Sequence, residues 1–252
     1  MNRFLLVAAA SFAMLATTAN AQAIRIATEG AYAPWNFLDD SGKPAGFDID
    51  VGTELCKRAA LECTFQVNEW DSIIPNLIAG NYDAIMAGMT ITDERKQTID
   101  FSEPYSPPDP STFIMLAATN IDFNNLKGLR LGVQGATIQA AYIEANLKDG
   151  NTVFSFETAD QALADLSAGN VDVILADNGY IAELVAGSSG ALKSDGPKIE
   201  IGDGVGIGLR QADDEIEAKF NAAIAAMKAD GSLDKLITQW FPEKGAGPFF
   251  PG

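Results

Sequence analysis

The sequence predicts an α/β protein of two related lobes, and three observations carry that prediction. Short apolar runs of strand length alternate with longer segments whose apolar residues recur every three or four positions. A 17-residue pattern occurs twice, 89 positions apart. A stretch with four prolines, Phe101 to Pro110, lies between the copies and fits neither a central strand nor a helix.

The repeat pairs DSIIPNLIAGNYDAIMA (Asp71 to Ala87) with DQALADLSAGNVDVILA (Asp160 to Ala176), identical at eight of 17 positions. Each copy reads helix, Ala-Gly-Asn, strand. The segments that begin each half echo too: Arg25 leads to Glu29-Gly30-Ala31, and Arg130 to Gln134-Gly135-Ala136. Helix–glycine–strand units look alike in many proteins, but the shared order in both halves favours two related lobes. Open α/β sheets bind ligands beyond the C-terminal ends of their strands. The equivalent ends here are Gly88 and Asp177.

In chain order, Arg3, the apolar run Phe4 to Leu15 and an Ala-x-Ala site near Ala19 to Ala23 make up an export signal. The run is too short to span a bilayer securely. Ile24 to Thr28 is a strand, followed by the loop Glu29 to Trp35. Asp50 to Ala60 is a helix, with Val51, Leu55 and Ala59 on one face. Thr64 to Val67 is a strand. Asp71 is expected to cap the next helix, which Gly80 closes. Tyr82 to Ala87 is a buried strand. Strands are expected at Leu129 to Val133, Val153 to Phe156 and Val171 to Ala176. Helices are expected at Thr137 to Leu147, Ala159 to Ala168 and Gly179 to Leu192. The glycines from Gly202 to Gly208 carry the chain back to the first lobe and lack the Lys-Ser/Thr ending of a phosphate loop. Asp213 to Asp230 and Leu233 to Trp240 are helices, and the tail from Gly245 is expected to fray. Lobe 1 is then 24–108 with 206–252, and lobe 2 is 109–205, after a signal peptide at 1–23.

The stretch after the first Ala-Gly-Asn holds the sharpest chemical signal. Gly88 stops the strand, and Thr92 is a candidate N-cap of a short polar helix. Arg95 falls in or near its first turn, where bare amides and the helix dipole already favour an anion. A guanidinium there, beside the Thr90 hydroxyl, suits a carboxylate held by two bonds. Pairing of Arg95 with Asp93, Glu94 or Asp100 is the bland alternative. With Asp177 opposite, such a cleft would suit a zwitterion. As a helix cap, Asp177 would have a purely structural role. Tyr32 and Trp70 stand at loop positions where aromatics can cover a ligand or pack in the core. Glu29 is either a cleft acid or a solvated loop charge.

Composition narrows the classes. Lys plus Arg number 17 and Asp plus Glu 34, giving a net charge of −17, which makes nucleic acid a poor partner. There is no histidine, which removes His bases and His metal ligands, so no metal site and no cofactor are assigned. Cys56 and Cys63 are the two cysteines, and in an exported chain they are expected to pair as one disulfide rather than remain free thiols. About 230 residues after signal removal suffice for two compact lobes.

The motifs YAPWNF, GFDIDVGTELCKR, DAIMAGMTITDERKQTIDFSEPY, GVQGAT, LSAGNVDVILAD and GIGLR together resemble the periplasmic amino-acid-binding proteins of ABC importers (solute-binding protein family 3). The likeness is nearest to the lysine/arginine/ornithine, histidine and opine-binding group and runs from about Ile24 to Trp240. It implies a type II periplasmic binding protein fold, two lobes joined by two hinge segments that close on a ligand. It also implies that the protein is periplasmic and monomeric, with a membrane permease as partner. Carried over motif by motif, Arg95 would hold an α-carboxylate with Thr90 and the loop at Thr137 and Ile138, and Gly88 would line the same site. Asp177 would take the α-ammonium, Tyr32 and Trp70 would sandwich the side chain, and Glu29 would meet a distal cation. The implied ligand is a basic amino acid (arginine, lysine or ornithine), with an opine or another polar amino acid as the alternative. The family often has Ser-Ser where this chain has Ala87-Gly88, so two hydroxyls are missing. An enzyme on the same scaffold, a cyclohexadienyl dehydratase, would need a tuned cleft acid or base. Glu29 is the one candidate, no second group is evident, and no catalytic residue is assigned.

Overall fold

The computed structural model describes residues 23–250, so the expected signal peptide lies, Ala23 apart, outside the described residues. The first half runs β1 (Ile24–Thr28), β2 (Ala31–Tyr32), β3 (Asn36–Leu38), β4 (Pro44–Ala45), α1 (Phe47–Arg58), β5 (Cys63–Val67), α2 (Trp70–Ile78), β6 (Ala84–Ile85), α3 (Asp93–Lys96) and β7 (Asp100–Phe101). The second runs β8 (Ser111–Leu116), β9 (Arg130–Gln134), α4 (Ile138–Asn146), β10 (Thr152–Phe156), α5 (Ala159–Ser167), β11 (Val173–Asp177), α6 (Asn178–Gly187) and β12 (Leu192–Ile199). The chain then adds β13 (Gly208–Leu209), α7 (Asp214–Asp230) and α8 (Ser232–Trp240).

Two five-stranded sheets result, in the orders β5-β1-β6-β13-β7 and β10-β9-β11-β8-β12, with a small sheet of β2, β3 and β4 beside the first. In each large sheet three parallel strands in the order 2-1-3 are followed by a strand antiparallel to its neighbour. The parallel strands read as continuous apolar runs because helices cover both their faces. β9 and β11 are buried over four residues each. The chain crosses from one sheet to the other between Phe101 and Ser111 and returns between Ile199 and Gly208. These two crossings lie side by side: Tyr105 N–H donates to Val205 O at 2.8 Å and Val205 N–H to Ser106 O at 3.0 Å. Gly204 permits this approach, with φ at 112° and a Cβ position only 2.7 Å from Ser106 O.

The repeated sequence folds into a repeated brace. Arg25 grips Asp83 through Nε and Nη2, both at 3.0 Å, while the Arg25 amide donates to the same carboxylate. Arg130 grips Asp172 in the same way, with its amide at 2.7 Å. Each brace ties the first strand of a lobe to the start of its third. Each Ala-Gly-Asn turn has its glycine at positive φ, and Asn81 and Asn170 donate to Asn76 and Asp165 of the preceding helices.

Cys56 and Cys63 form a disulfide between α1 and the start of β5. The aromatic core of the first lobe joins Trp35, Phe47 and Phe241, all fully buried or nearly so. Four expectations need correction. Asp71 lies within the first turn of α2 rather than capping it, since the helix begins at Trp70. The strand expected over Tyr82 to Ala87 narrows to two residues, because Tyr82 turns its hydroxyl to Ile73 O and Asp83 serves the brace. The helix expected over Gly179 to Leu192, with a loose Gly-Ser end, stops at Gly187, and after Ser188, Ser189 and Gly190 the chain enters an edge strand, β12, from Leu192. The tail is packed rather than frayed: Phe249 and Phe250 lie against the core, and the Lys228 ammonium sits 4.3 Å from the Phe250 ring centre.

Candidate ligand-binding site

The strand ends of the two lobes face each other across a cavity. Its wall holds Glu29, Tyr32, Trp70, Gly88, Thr90 and Arg95 from one lobe and Thr137, Ile138 and Asp177 from the other. All nine residues singled out in the sequence therefore meet in one space. Ala87, Gln134 and Gln139 complete the wall.

Arg95 is positioned by the short helix the sequence predicts. Thr92 is the N-cap of α3, its hydroxyl accepting from the Arg95 amide at 3.2 Å. The guanidinium donates through Nη1 to Thr90 O at 2.8 Å and lies 5.3 Å from the Trp70 ring centre. Among the described residues Arg95 has no ion pair, so the expected surface partners Asp93, Glu94 and Asp100 do not hold it. Loss of hydration pulls its pKa down to about 10, partly opposed by Asp177 and Glu94, and it remains cationic at neutral pH. A half-buried cation with spare donors is set to receive an anion.

Across the cavity, Asp177 stands at the N-cap position of α6 but makes no capping bond with its side chain. Its carboxylate is instead gripped by Tyr32, whose hydroxyl donates to Oδ2 at 2.9 Å, and by Gln139, whose amide donates to Oδ1 at 2.7 Å. Gln139 also donates to Ser111 Oγ at 2.9 Å and is 4% exposed, which holds its amide in place. Burial is the main force raising the Asp177 pKa, to about 7, with Asp109 adding to it and Tyr32, Arg95 and Gln139 opposing it. A cation beside it would restore the charged form.

Glu29 directly follows β1 and is buried at 6% exposure. Gln134 ends β9, the equivalent strand of the second lobe, and its amide donates to Glu29 Oε1 at 2.6 Å. Burial lifts the Glu29 pKa to about 7; the Gln134 bond opposes this, and Asp160 and Asp71 add to it. The far end of the cavity is thus acidic and poorly hydrated.

The two aromatics differ from a simple sandwich. Tyr32 stacks on Tyr180 at 4.4 Å between ring centres, so one of its faces is already covered. Trp70 donates through Nε1 to Ala136 O at 3.1 Å, across the cleft. Thr137 caps α4, accepting from Ala140 N–H at 3.1 Å and donating to Gln134 O at 2.7 Å. Its hydroxyl is therefore engaged, and the free amides at the start of α4 are what this loop offers. Gly88 N–H goes to Asp48 Oδ2 at 2.8 Å, which leaves its carbonyl as the polar group near the cavity. Asp48 is wholly buried and also accepts from Asn36 and Tyr105, so it fixes the turn that carries Gly88.

Sequence reasoning placed Gln134 on the cleft loop without a role and missed Gln139. The position of Gln139, second in α4, gives no local sign that its amide reaches β11. Among the described residues no cluster of His, Cys, Asp and Glu has a metal-binding arrangement, and no helix is long and apolar enough to cross a membrane.

Residues 24–243 match the family described as bacterial extracellular solute-binding proteins, family 3. The chain is 36% identical over 249 residues to a lysine/arginine/ornithine-binding periplasmic protein of Escherichia coli (strain K12), covering 93% of this chain and 91% of the relative. It is 37% identical to the histidine-binding periplasmic protein of the same organism, covering 94% of each. Among solved structures, a periplasmic His/Glu/Gln/Arg/opine family-binding protein from Silicibacter pomeroyi in complex with lysine superposes with a TM-score of 0.82 at 44% identity, over 89% of this chain and 99% of that one. By that match and these relatives, this chain belongs to the bacterial extracellular solute-binding proteins, family 3.

Proposed function

We propose that this protein is the periplasmic, extracytoplasmic component of an amino-acid ABC importer and closes around a free basic α-amino acid: arginine, lysine or ornithine. The observation that carries the reading is the pairing, within one cavity, of an Arg95 guanidinium that has no ion pair with an Asp177 carboxylate opposite. In this reading Arg95 takes the α-carboxylate with help from Thr90 and the first amides of α4 at Thr137 and Ile138. Asp177 and the Gly88 carbonyl take the α-ammonium. Trp70 and the open face of Tyr32 cover the aliphatic stem, and Glu29 meets the distal cation. The relatives named for lysine, arginine, ornithine or histidine support a basic ligand. A membrane permease would receive it.

A second reading rests on the two carboxyls near pH 7, which are poised for acid–base work. A dehydratase would use such a group. Both, however, already have roles in holding a zwitterion with a cationic tail.

A thermal-shift screen of protein refolded from denaturant, against the amino acids, octopine and nopaline, tests these readings. Ligand at a hundred times its Kd should add about 2.7 kcal/mol, a rise of roughly 5–10 °C for a chain of this size. The expected responders are arginine, lysine and ornithine. Arg95→Ala should remove the response to every ligand while the far-ultraviolet spectrum stays unchanged. Near-normal affinity in that variant would discard the clamp, and turnover of prephenate or arogenate would establish the enzyme reading.

A further inference from the structure

Asp177 stands at the N-cap position of α6, yet its side chain faces the cavity and makes no capping bond. The N-caps of α3, α4 and α5 behave otherwise: Thr92, Thr137 and Thr158 each accept from the amide three residues on. The first amides of α6 are served from outside the helix. Asn178 N–H donates to Pro110 O at 2.9 Å, and Gly179 N–H to Asp109 Oδ2 at 2.8 Å. Asp109 thus supplies the acceptor that an N-cap side chain would give. It lies in the first crossing between the sheets, between Pro108 and Pro110, where the following proline restricts it to extended backbone. Gly179 lets it approach: a Cβ there would lie 2.8 Å from Phe241 Cε1 and 3.2 Å from Asp109 Oδ2.

Asp109 is itself buried, and its Oδ1 accepts from the ammonium of Lys244, past the end of α8. That ion pair offsets what would otherwise be a second uncompensated carboxylate close to Asp177. We infer that Asp109 is a positioning residue for the α-ammonium: it caps α6 in place of Asp177 and so leaves the Asp177 carboxylate free to face the cavity. The inference rests on the reading that Asp177 takes the α-ammonium. With no acceptor at position 109, Asp177 would turn back to its own helix and give up its bonds to Tyr32 and Gln139. The ammonium would then lose its partner.

The test compares two double variants. Asp109→Asn with Lys244→Met keeps an oxygen for the Gly179 amide; Asp109→Ala with Lys244→Met keeps none. Lys244 changes in both, so neither leaves a buried ammonium unpaired. Each is first checked for cooperative unfolding. The refolded proteins are titrated in a calorimeter with lysine and arginine, and by displacement with the same molecules lacking the α-amino group, ε-aminocaproate and δ-guanidinovalerate. The advantage that the α-amino group confers should be about fivefold smaller in the alanine version than in the asparagine version, the worth of one N-cap bond. In crystals of the unliganded alanine version, the Asp177 carboxylate should lie about 3 Å from the Gly179 or Tyr180 amide. An equal advantage in the two versions, or an Asp177 carboxylate still held by Tyr32 and Gln139, overturns the role of Asp109 alone. A parent that binds the analogues as tightly as the amino acids, or binds none of the four, overturns the reading of Asp177 itself.

Discussion

Glu29 and Asp177 face one cavity, and burial pushes both up to about pH 7. Each raised pKa means that the empty site resists holding its charge. Stability from these groups is present below the ordinary carboxylate range and is lost as pH rises through about 7. Glu29→Gln should therefore gain on the parent, in ligand-free melting temperature, as pH climbs from about 4.5 to above 7. A cationic ligand reverses the preference and expels the proton. Binding of lysine or arginine near pH 7 should release on the order of one proton, read from calorimetry in buffers of different ionisation enthalpy. A heat independent of the buffer would show that both groups are already ionised. These residues were legible because each sits at or just past the C-terminal end of a strand, where α/β sheets open onto a ligand. Their amide partners Gln134 and Gln139 were not, since those bonds join side chains 105 and 38 positions apart.

Between elements, the repeat carried the most information. Arg25 with Asp83 and Arg130 with Asp172 occur in both halves because each lobe must fasten its first strand to its third. β12 escaped notice for an equally physical reason. Its sequence, LKSDGPKI, contains residues that strands avoid, and they are tolerated because β12 is an edge with a shifted register between Asp195 and Ile199. The disulfide was legible from the cysteine count and the export signal. It closes a short loop at the end of α1, and neither cysteine lines the cavity. Replacing both Cys56 and Cys63 by serine should cost about 2.5 kcal/mol and lower the melting temperature by roughly 5–10 °C. Ligand affinity, extrapolated to conditions where both proteins are folded, should stay the same. A parallel loss of affinity would mean that α1 also positions the site.

At the scale of the molecule, four hydrogen bonds among the described residues join the lobes around the cavity: Tyr32 O–H to Asp177 Oδ2, Asp177 N–H to the Tyr32 hydroxyl, Gln134 to Glu29, and Trp70 to Ala136 O. The residues that would touch a ligand are thus also those that hold the cleft shut, so binding and closure share their contacts. Tyr32→Phe removes the two bonds made with Asp177 without changing the ring. It should weaken all α-amino acids by about tenfold and leave the lysine-to-arginine ratio untouched, as titration of the set would show. A change in that ratio would assign Tyr32 to side-chain selection instead. The order of the strands has a further consequence. The second sheet is drawn from one unbroken stretch, β8 to β12, whereas the first needs β13, which lies between β6 and β7 and is made more than a hundred residues after them. A chain emerging N-terminus first can finish its second lobe while its first still lacks an inner strand. The half of the site that carries Arg95 and Glu29 thus depends on a strand supplied from far along the chain, and a copy ending before Gly208 would keep every strand of its second sheet but lack an inner strand of its first.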